Sequence, residues 1–243
     1  MSTAYKIGRI MGIPIMIDFT FLIVLPLFAW FFSQQGQPFG FAETEHEIMK
    51  YILSLITAIL LFVSVLIHEL AHSFFTLRYG GSIKEIRLHL LGGVAALKKE
   101  VHEPLKVIAI VAAGPLSSII LGVLLIIFNY SLNPVPVSEG NPIFLIAFIL
   151  GYINIFLGIF NLIPAFPMDG GRILRAFLST RMDFVKATQR AVLVGKIFAV
   201  LMGILGLLTD FWLLLIALYI YGNASREEQL VKRKYSLYEW QRE

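Results

Sequence analysis

Residues Tyr51–Leu77 read YILSLITAILLFVSVLIHELAHSFFTL, an apolar run that contains the pentapeptide HELAH at positions 68–72. A helix needs about 20 apolar residues to cross a hydrocarbon core of about 30 Å, so this run predicts a membrane-spanning helix. Two histidines at positions i and i+4 lie on one face of that helix, one turn apart, as two ligands of one Zn²⁺ require. Glu69 points to another side of the helix and can reach water at such an ion without ligating it.

The position of these three side chains inside an apolar run strengthens the metal interpretation. Ionisable groups at membrane depth are costly unless they are paired with one another or bound to a metal. The stretch therefore favours a metal site that contains His68 and His72. The alternative is that His68, Glu69 and His72 form a polar packing cluster or a proton relay.

The composition of the whole chain indicates a polytopic membrane protein. The 243 residues are 58% hydrophobic and 15% charged, and the mean hydropathy is +0.79. One core of this size cannot bury so much apolar surface, which excludes a cytosolic enzyme, a disordered chain and a secreted disulfide scaffold. The absence of cysteine excludes disulfides and zinc-thiolate sites. No basic surface stands apart from the apolar runs, so we expect a lipid bilayer and no nucleic acid as partner.

The apolar runs predict an all-α membrane protein with six spanning helices. The last span is short for a crossing and depends on a break at Thr209–Asp210. The alternative is five spans, the last of them a long kinked helix. Between spans two and three, Ile83–Leu97 (IKEIRLHLLGGVAAL) has two short apolar runs around Gly92-Gly93, which favours a small membrane-associated β-hairpin. The spans are expected near Ile10–Phe32, Tyr51–Leu77, Val107–Phe128, Ile143–Leu162, Ala187–Leu208 and Phe211–Gly222.

The loop charges predict how the chain is oriented in the membrane. Of the 20 Lys and Arg residues, Lys50 lies in an opposite loop and Lys196 lies inside a span, which leaves 18 on one side. This asymmetry predicts a multi-pass protein of the cell membrane with both termini cytoplasmic. The acidic loop residues of the other side are Glu43, Glu45, Glu47, Glu139 and Asp210. We expect residues 1–225 to form the membrane core and residues 226–243 to form a short cytoplasmic tail.

A third metal ligand is expected after the fourth span, in the segment NLIPAFPMDGGR at positions 161–172. Two prolines stop the helix and two glycines permit a tight turn, so non-helical backbone should present Asp169 to a cavity. A tetrahedral site with two histidines takes a third protein ligand and leaves one position for water. The alternative role of Asp169 is to cap a helix that starts near Arg172.

With HELAH in one span and NLIPAFPMDGGR after another, the chain resembles the site-2 protease family of intramembrane zinc metalloproteases, its compact archaeal members in particular. The runs Gly12–Ile15 (GIPI) and Ala113–Leu116 (AGPL) are similar to family features as well. The resemblance implies a six-helix core and one Zn²⁺ per chain. It also implies His68, His72 and Asp169 as zinc ligands and Glu69 as catalytic base. Asp18 stands where several relatives carry a histidine, so we expect no catalytic role for it.

Two further sets of residues are candidates for handling the substrate. An amide near the end of an apolar helix is costly, so Asn161 is a candidate auxiliary group that holds an oxyanion or a substrate carbonyl, or else makes an interhelical hydrogen bond. Asn154 is expected to serve helix packing. A substrate must unwind before it is cut, and the hairpin offers a strand edge at Gly92, Gly93 and Val94 to which it could add.

These features together predict an intramembrane zinc endopeptidase that cleaves the membrane segment of a single-pass protein. The alternative from another class is a metal-ion or proton transporter that uses the same His, Glu and Asp cluster as a transit site. The sequence shows no repeated halves, which transporters often have. An inactive relative that acts as a membrane chaperone is disfavoured because every residue required by the chemistry is present.

Overall fold

The computed structural model describes residues 4–90, 92–132 and 141–240. In chain order the elements are β1 (Ala4–Ile10), β2 (Ile13–Asp18), α1 (Phe21–Gln34), α2 (Glu47–Arg78), β3 (Ser82–His89), β4 (Gly92–Lys99), α3 (Pro104–Leu132), α4 (Pro142–Asn161), α5 (Asp169–Leu178), α6 (Phe184–Thr209) and α7 (Phe211–Trp240). The chain forms two compact units, the first of Met1–Val101 with Ala113–Gly158 and the second of His102–Ala112 with Ile159–Glu243. Glu139, predicted in an acidic loop, and the last residues of the predicted tail lie outside the described residues.

The first unit contains a four-stranded sheet in the order β1-β2-β3-β4. Its β3–β4 hairpin confirms the pairing predicted around Gly92-Gly93, with His89 opposite Gly92. Gly92 has a φ of +118°, a conformation that a residue with a Cβ rarely adopts, so a glycine is needed where the turn enters β4. Four isoleucines of the sheet, Ile13, Ile15, Ile83 and Ile86, are buried against Leu66 and Leu70 of α2. The sheet therefore lies against the turn of α2 that carries the two histidines.

The N-terminal strands correct the prediction of the first span. Residues 10–18 belong to the sheet and not to a helix, because β2 pairs with β1 in antiparallel and with β3 in parallel orientation. Its β-branched isoleucines alternate with other residues and suit a half-buried strand. What remains of the predicted span is α1, an apolar helix of 14 residues.

Four helices among the described residues are long and apolar enough to cross a membrane, namely α2, α3, α4 and α6. At 14 residues α1 is shorter than the roughly 20 that a full crossing needs. The protein is therefore a mostly helical, multi-pass membrane protein with a small sheet. The six-helix count stays a prediction.

The second unit contains α5, α6 and α7. The predicted break at Thr209–Asp210 is confirmed, because α6 ends at Thr209 and α7 begins at Phe211. Asp183 is the N-cap of α6 and accepts a hydrogen bond of 2.9 Å from the backbone N–H of Lys186. That bond lowers the pKa of the Asp183 carboxyl below its ordinary value. Helix α7 continues without interruption from the last predicted span to Trp240, so the described part of the predicted tail is helical.

Candidate metal centre

Helix α2 places His68 and His72 one turn apart on the same face. The centroids of the two imidazole rings are 4.8 Å apart, and the ring planes are inclined at 80° to each other. His68 is buried, and His72 is half-buried. The helix runs for 32 residues with Glu47 in its first turn and Arg78 in its last, charges that suit the two ends of the helix dipole.

Helix α3 contacts the imidazole of His68 through a side chain and a glycine. The Nδ1 atom of His68 lies 2.9 Å from the hydroxyl oxygen of Ser118, and both side chains are buried. A Cβ placed on Gly114 of the same helix would lie 2.7 Å from Nε2 of His68, and closer still to Nε2 of His72. Both Nε2 atoms therefore face the bare backbone of Gly114. Only a residue without a side chain fits there.

Asp169 lies at the start of α5 and is buried, with 8% of its surface exposed. A Cβ on Gly170 or Gly171 would collide with the backbone of residues 162–166, so these two glycines let that segment fold closely over the helix start. The expectation that non-helical backbone presents Asp169 is wrong, because Asp169 is the first residue of α5. The helix also starts before Arg172, and its N-cap is Met168, so Asp169 is not the N-cap that the alternative interpretation required.

The ligand atoms offered by His68, His72 and Asp169 all lie within 4.8 Å of one another. Two imidazole nitrogens and one carboxylate oxygen form a donor set that zinc takes in catalytic sites. A buried carboxylate is costly unless opposite charge compensates it, which a divalent cation would do. The residues therefore fit a zinc ion.

Glu69 packs against the start of strand β4. A Cβ on Gly93 would lie 2.5 Å from Cγ of Glu69 and 3.4 Å from Oε1. The candidate base and the candidate substrate edge are thus in contact, an arrangement that a side chain at position 93 would disturb. Among the described residues β4 pairs only with β3, so its other edge is open. Val94, also on β4, is exposed.

Asn161 and Asn154 lie on the same helix and differ in surroundings. Asn161 is half-buried and is the last residue of α4. This position agrees with the sequence prediction, which places Asn161 near the end of an apolar helix. Asn154 is fully buried and donates to the hydroxyl oxygen of Ser64 at 3.0 Å and to the carbonyl of Leu150 at 2.8 Å. The bond to Ser64 joins α4 to α2, as expected of a residue that serves helix packing.

Asp18 ends strand β2 and holds the turn into α1. Its carboxylate accepts hydrogen bonds of 3.1 Å from the backbone N–H and from the hydroxyl of Thr20. The backbone bond is the main reason why the pKa of Asp18 lies below its ordinary value. These contacts give Asp18 a structural role at the end of the strand.

The model of peptidase family M50 matches residues 56–141 and 136–204 of the chain, more than half of its length. The chain belongs to peptidase family M50. A zinc metalloprotease of Methanocaldococcus jannaschii is 38% identical over 237 residues, which cover 96% of this chain and 62% of that relative. Stage IV sporulation protein FB of Bacillus subtilis is 31% identical over 144 residues, 59% of this chain and 47% of that protein. The chain thus spans about three fifths or less of the length of these curated relatives.

A solved structure supports the M50 fold. The site-2 protease from Methanocaldococcus jannaschii matches with a TM-score of 0.62 and 36% identity, covering 93% of this chain and 95% of that one. The resemblance to the site-2 protease family that the two motifs indicate is confirmed.

Two residues of this M50 site escaped sequence reasoning. Ser118 and Gly114 both lie in the run AGPLSS, residues 113–118. The sequence analysis identified only its first four residues, as similar to a family feature, and predicted no contact with the histidines. The available signal was the pair of serines inside an apolar span. A hydroxyl there needs a partner, but its partner could equally have been a carbonyl of its own helix, as it is for Ser117.

Proposed function

We propose that this chain is an intramembrane endopeptidase that binds one Zn²⁺ and cleaves the membrane segment of a single-pass protein. The observation that carries the proposal is the cluster of His68, His72 and Asp169, whose ligand atoms lie within 4.8 Å of one another. Membership in family M50 supports the same reaction class. We assign these three residues as the zinc ligands and Glu69 as the catalytic base.

His68, His72 and Asp169 would hold a zinc ion, which would act as a Lewis acid that acidifies water and polarises a peptide carbonyl. Glu69 follows the first ligand directly in the chain and takes the proton of the attacking water. It then returns this proton to the nitrogen of the leaving amine. Asn161 donates its amide N–H to the carbonyl oxygen on which negative charge develops, or holds a neighbouring substrate carbonyl.

Strand β4 binds the substrate in an extended conformation. A peptide bond inside a helix is shielded by the turns around it, so the substrate must unwind before cleavage. Its main chain then pairs with the open edge of β4 at Gly92, Gly93 and Val94. The contact between Gly93 and Glu69 supports this assignment, because it brings the paired segment beside the base.

The orientation follows from the charge distribution of the chain. The side that carries 18 of the 20 Lys and Arg residues is cytoplasmic, as are both termini. His68 lies about 25 Å along α2 from Tyr51, at about 1.5 Å per residue. Cleavage therefore occurs in the cytoplasmic half of the cell membrane and releases a cytoplasmic fragment. In this proposal residues 1–225 form the protease core, and the end of α7 lies in the cytoplasm.

Cleavage by purified protein tests the proposal. Zinc-loaded protein in detergent should cut a peptide that contains one membrane segment, and Glu69→Gln should abolish cleavage while retaining zinc. Glu47→Gln, at the exposed start of the same helix, should cleave normally. Loss of zinc in Asp169→Ala would support its role as a ligand. Flux of zinc or protons across vesicles without any cleavage would refute the protease and favour the transporter.

A further inference from the structure

A cavity of about 710 Å³ lies between α6 and α7 in the second unit, away from the metal ligands in sequence. Among the residues that the structure describes, four cationic side chains and a single carboxylate, that of Glu228, line it. The four positive charges minus the one negative charge leave a surplus of three. The cations are Lys186, Arg190, Lys196 and Lys232.

The ion pairs in the cavity leave part of this positive charge available. Glu228 is shared between Lys232 at 2.7 Å and Lys196 at 3.3 Å. The hydrogen bond from Lys232 is the main cause that lowers the pKa of Glu228, and the contact with Lys196 lowers it further. The carboxylate is therefore ionised at neutral pH. Lys186 pairs with Asp183 at 3.2 Å. Within the described part of the chain Arg190 has no such ion pair, and it is exposed.

An exposed apolar stripe begins at the rim of the cavity. Leu193 lines the cavity, is 50% exposed and starts a series of residues four apart along one side of α6. The later members, Ile197, Leu201 and Leu205, are 53%, 62% and 53% exposed. Because α6 is long and apolar enough to cross the membrane, this exposed stripe offers a surface to lipid chains.

We propose that the cavity binds the phosphate headgroup of an anionic phospholipid, with one acyl chain along the stripe that starts at Leu193. Charge complementarity selects the headgroup, because basic cavities between membrane helices attract anionic lipids at the positively charged side of the protein. A zwitterionic lipid would bring its own cation into a cavity that already holds four. The proposal requires only that the chain is a membrane protein, so it stands independently of the protease reaction.

The test measures lipid affinity with the full chain in detergent, using fluorescently labelled phosphatidylglycerol and phosphatidylcholine. Phosphatidylglycerol should bind at least tenfold more tightly than phosphatidylcholine. Arg190→Gln should weaken phosphatidylglycerol binding about fivefold. The double variant Lys186→Gln with Arg190→Gln should weaken it about 20-fold, because each cation contributes a similar amount to the free energy of binding. Glu228→Gln should strengthen it, because this substitution removes the only carboxylate among the described residues that line the cavity. The opposite signs separate a charge effect from general damage to the fold.

Controls use cations outside the cavity. Arg9→Gln with Lys84→Gln alters one Arg and one Lys that are exposed on the sheet, and this pair should bind phosphatidylglycerol like the wild type. Equal affinity of the wild type for both lipids would overturn the proposal. So would equal losses in the control and cavity pairs, or displacement of the lipid by inorganic phosphate at millimolar concentration. A cooperative thermal transition and unchanged zinc content would verify that each variant is folded.

Discussion

The Nδ1 atom of His68 lies 2.9 Å from the hydroxyl oxygen of Ser118, a contact between two buried side chains that are 50 positions apart in sequence. In a neutral imidazole one nitrogen carries the proton and the other carries the lone pair. If Nδ1–H donates to Ser118, the lone pair is on Nε2, the atom that faces Gly114 and the ring of His72. In that tautomer the serine holds the ring in the orientation that a metal ligand at Nε2 needs.

Removing the Ser118 hydroxyl should therefore weaken zinc binding. We expect Ser118→Ala to lower the zinc affinity about tenfold, the low end of the effect of such outer contacts on metal sites. A competition titration against a chelator measures this. Ser117→Ala is the matched control, because Ser117 donates to the carbonyl of Gly114 within its own helix. Equal zinc affinity in the two variants would show that Ser118 does not orient His68.

Gly114 should tolerate no side chain at all. The methyl group of Gly114→Ala would lie 2.7 Å from Nε2 of His68 and closer to Nε2 of His72, in the space where both nitrogens point. We expect the variant to lose most of its zinc, as determined by elemental analysis of the purified protein. Gly222→Ala, on α7, has no heavy atom within 4 Å of the added Cβ and should stay fully loaded. A zinc-replete Gly114→Ala protein would contradict the arrangement of the two rings.

Gly93→Ala should slow cleavage without removing zinc. The added Cβ would lie 2.5 Å from Cγ of Glu69 and would push the flexible carboxylate away, while His68 and His72 stay in place. We expect kcat to fall by about tenfold, in the range of a misplaced general base. Gly8→Ala places its Cβ in open space on edge strand β1 and serves as control. Normal kcat in Gly93→Ala would argue against close packing of β4 on the base.

The ion pair between Arg175 and Glu227 should matter for the position of Asp169. Arg175 lies on α5, the helix that Asp169 starts, and its guanidinium carbon is 5.1 Å from the ring centroid of Phe166 and 4.8 Å from that of Phe184. We expect Glu227→Gln to destabilise the protein by about 1 kcal/mol and to weaken zinc binding severalfold. Melting temperature and chelator competition measure the two effects.

The neighbouring carboxylate provides the comparison for this ion pair. Glu228→Gln breaks bonds to Lys196 and Lys232 on α6 and α7 and does not touch α5. It should lower the melting temperature without changing zinc affinity. If both variants lost zinc equally, a general loosening of α7 would explain the result and the specific link to Asp169 would be refuted.

Those features that depend on neighbouring residues were predictable from the sequence. The spacing of His68 and His72 in α2 follows from helix geometry alone, since residues i and i+4 always share a face. The lengths of the apolar runs gave α2, α3, α4 and α6, because the thickness of a bilayer sets the length of a span. The hairpin of β3 and β4 and the break before α7 were marked by local turn and polar residues.

Features that depend on distant pairing were decided only by the tertiary structure. Strand β2 looked like the start of a span because its isoleucines are as apolar as those of a membrane helix. Its pairing with β1 and with the distant β3 makes it a strand. The helical extension of α7 is held to other helices by Glu227, which pairs with Arg175 on α5, and by Glu228, which pairs with Lys196 on α6. Ser118 and Gly114 acquire their roles from the crossing of α3 over α2. Periodicity and composition report the environment that a segment prefers, whereas its partner is chosen by packing between segments far apart in the chain.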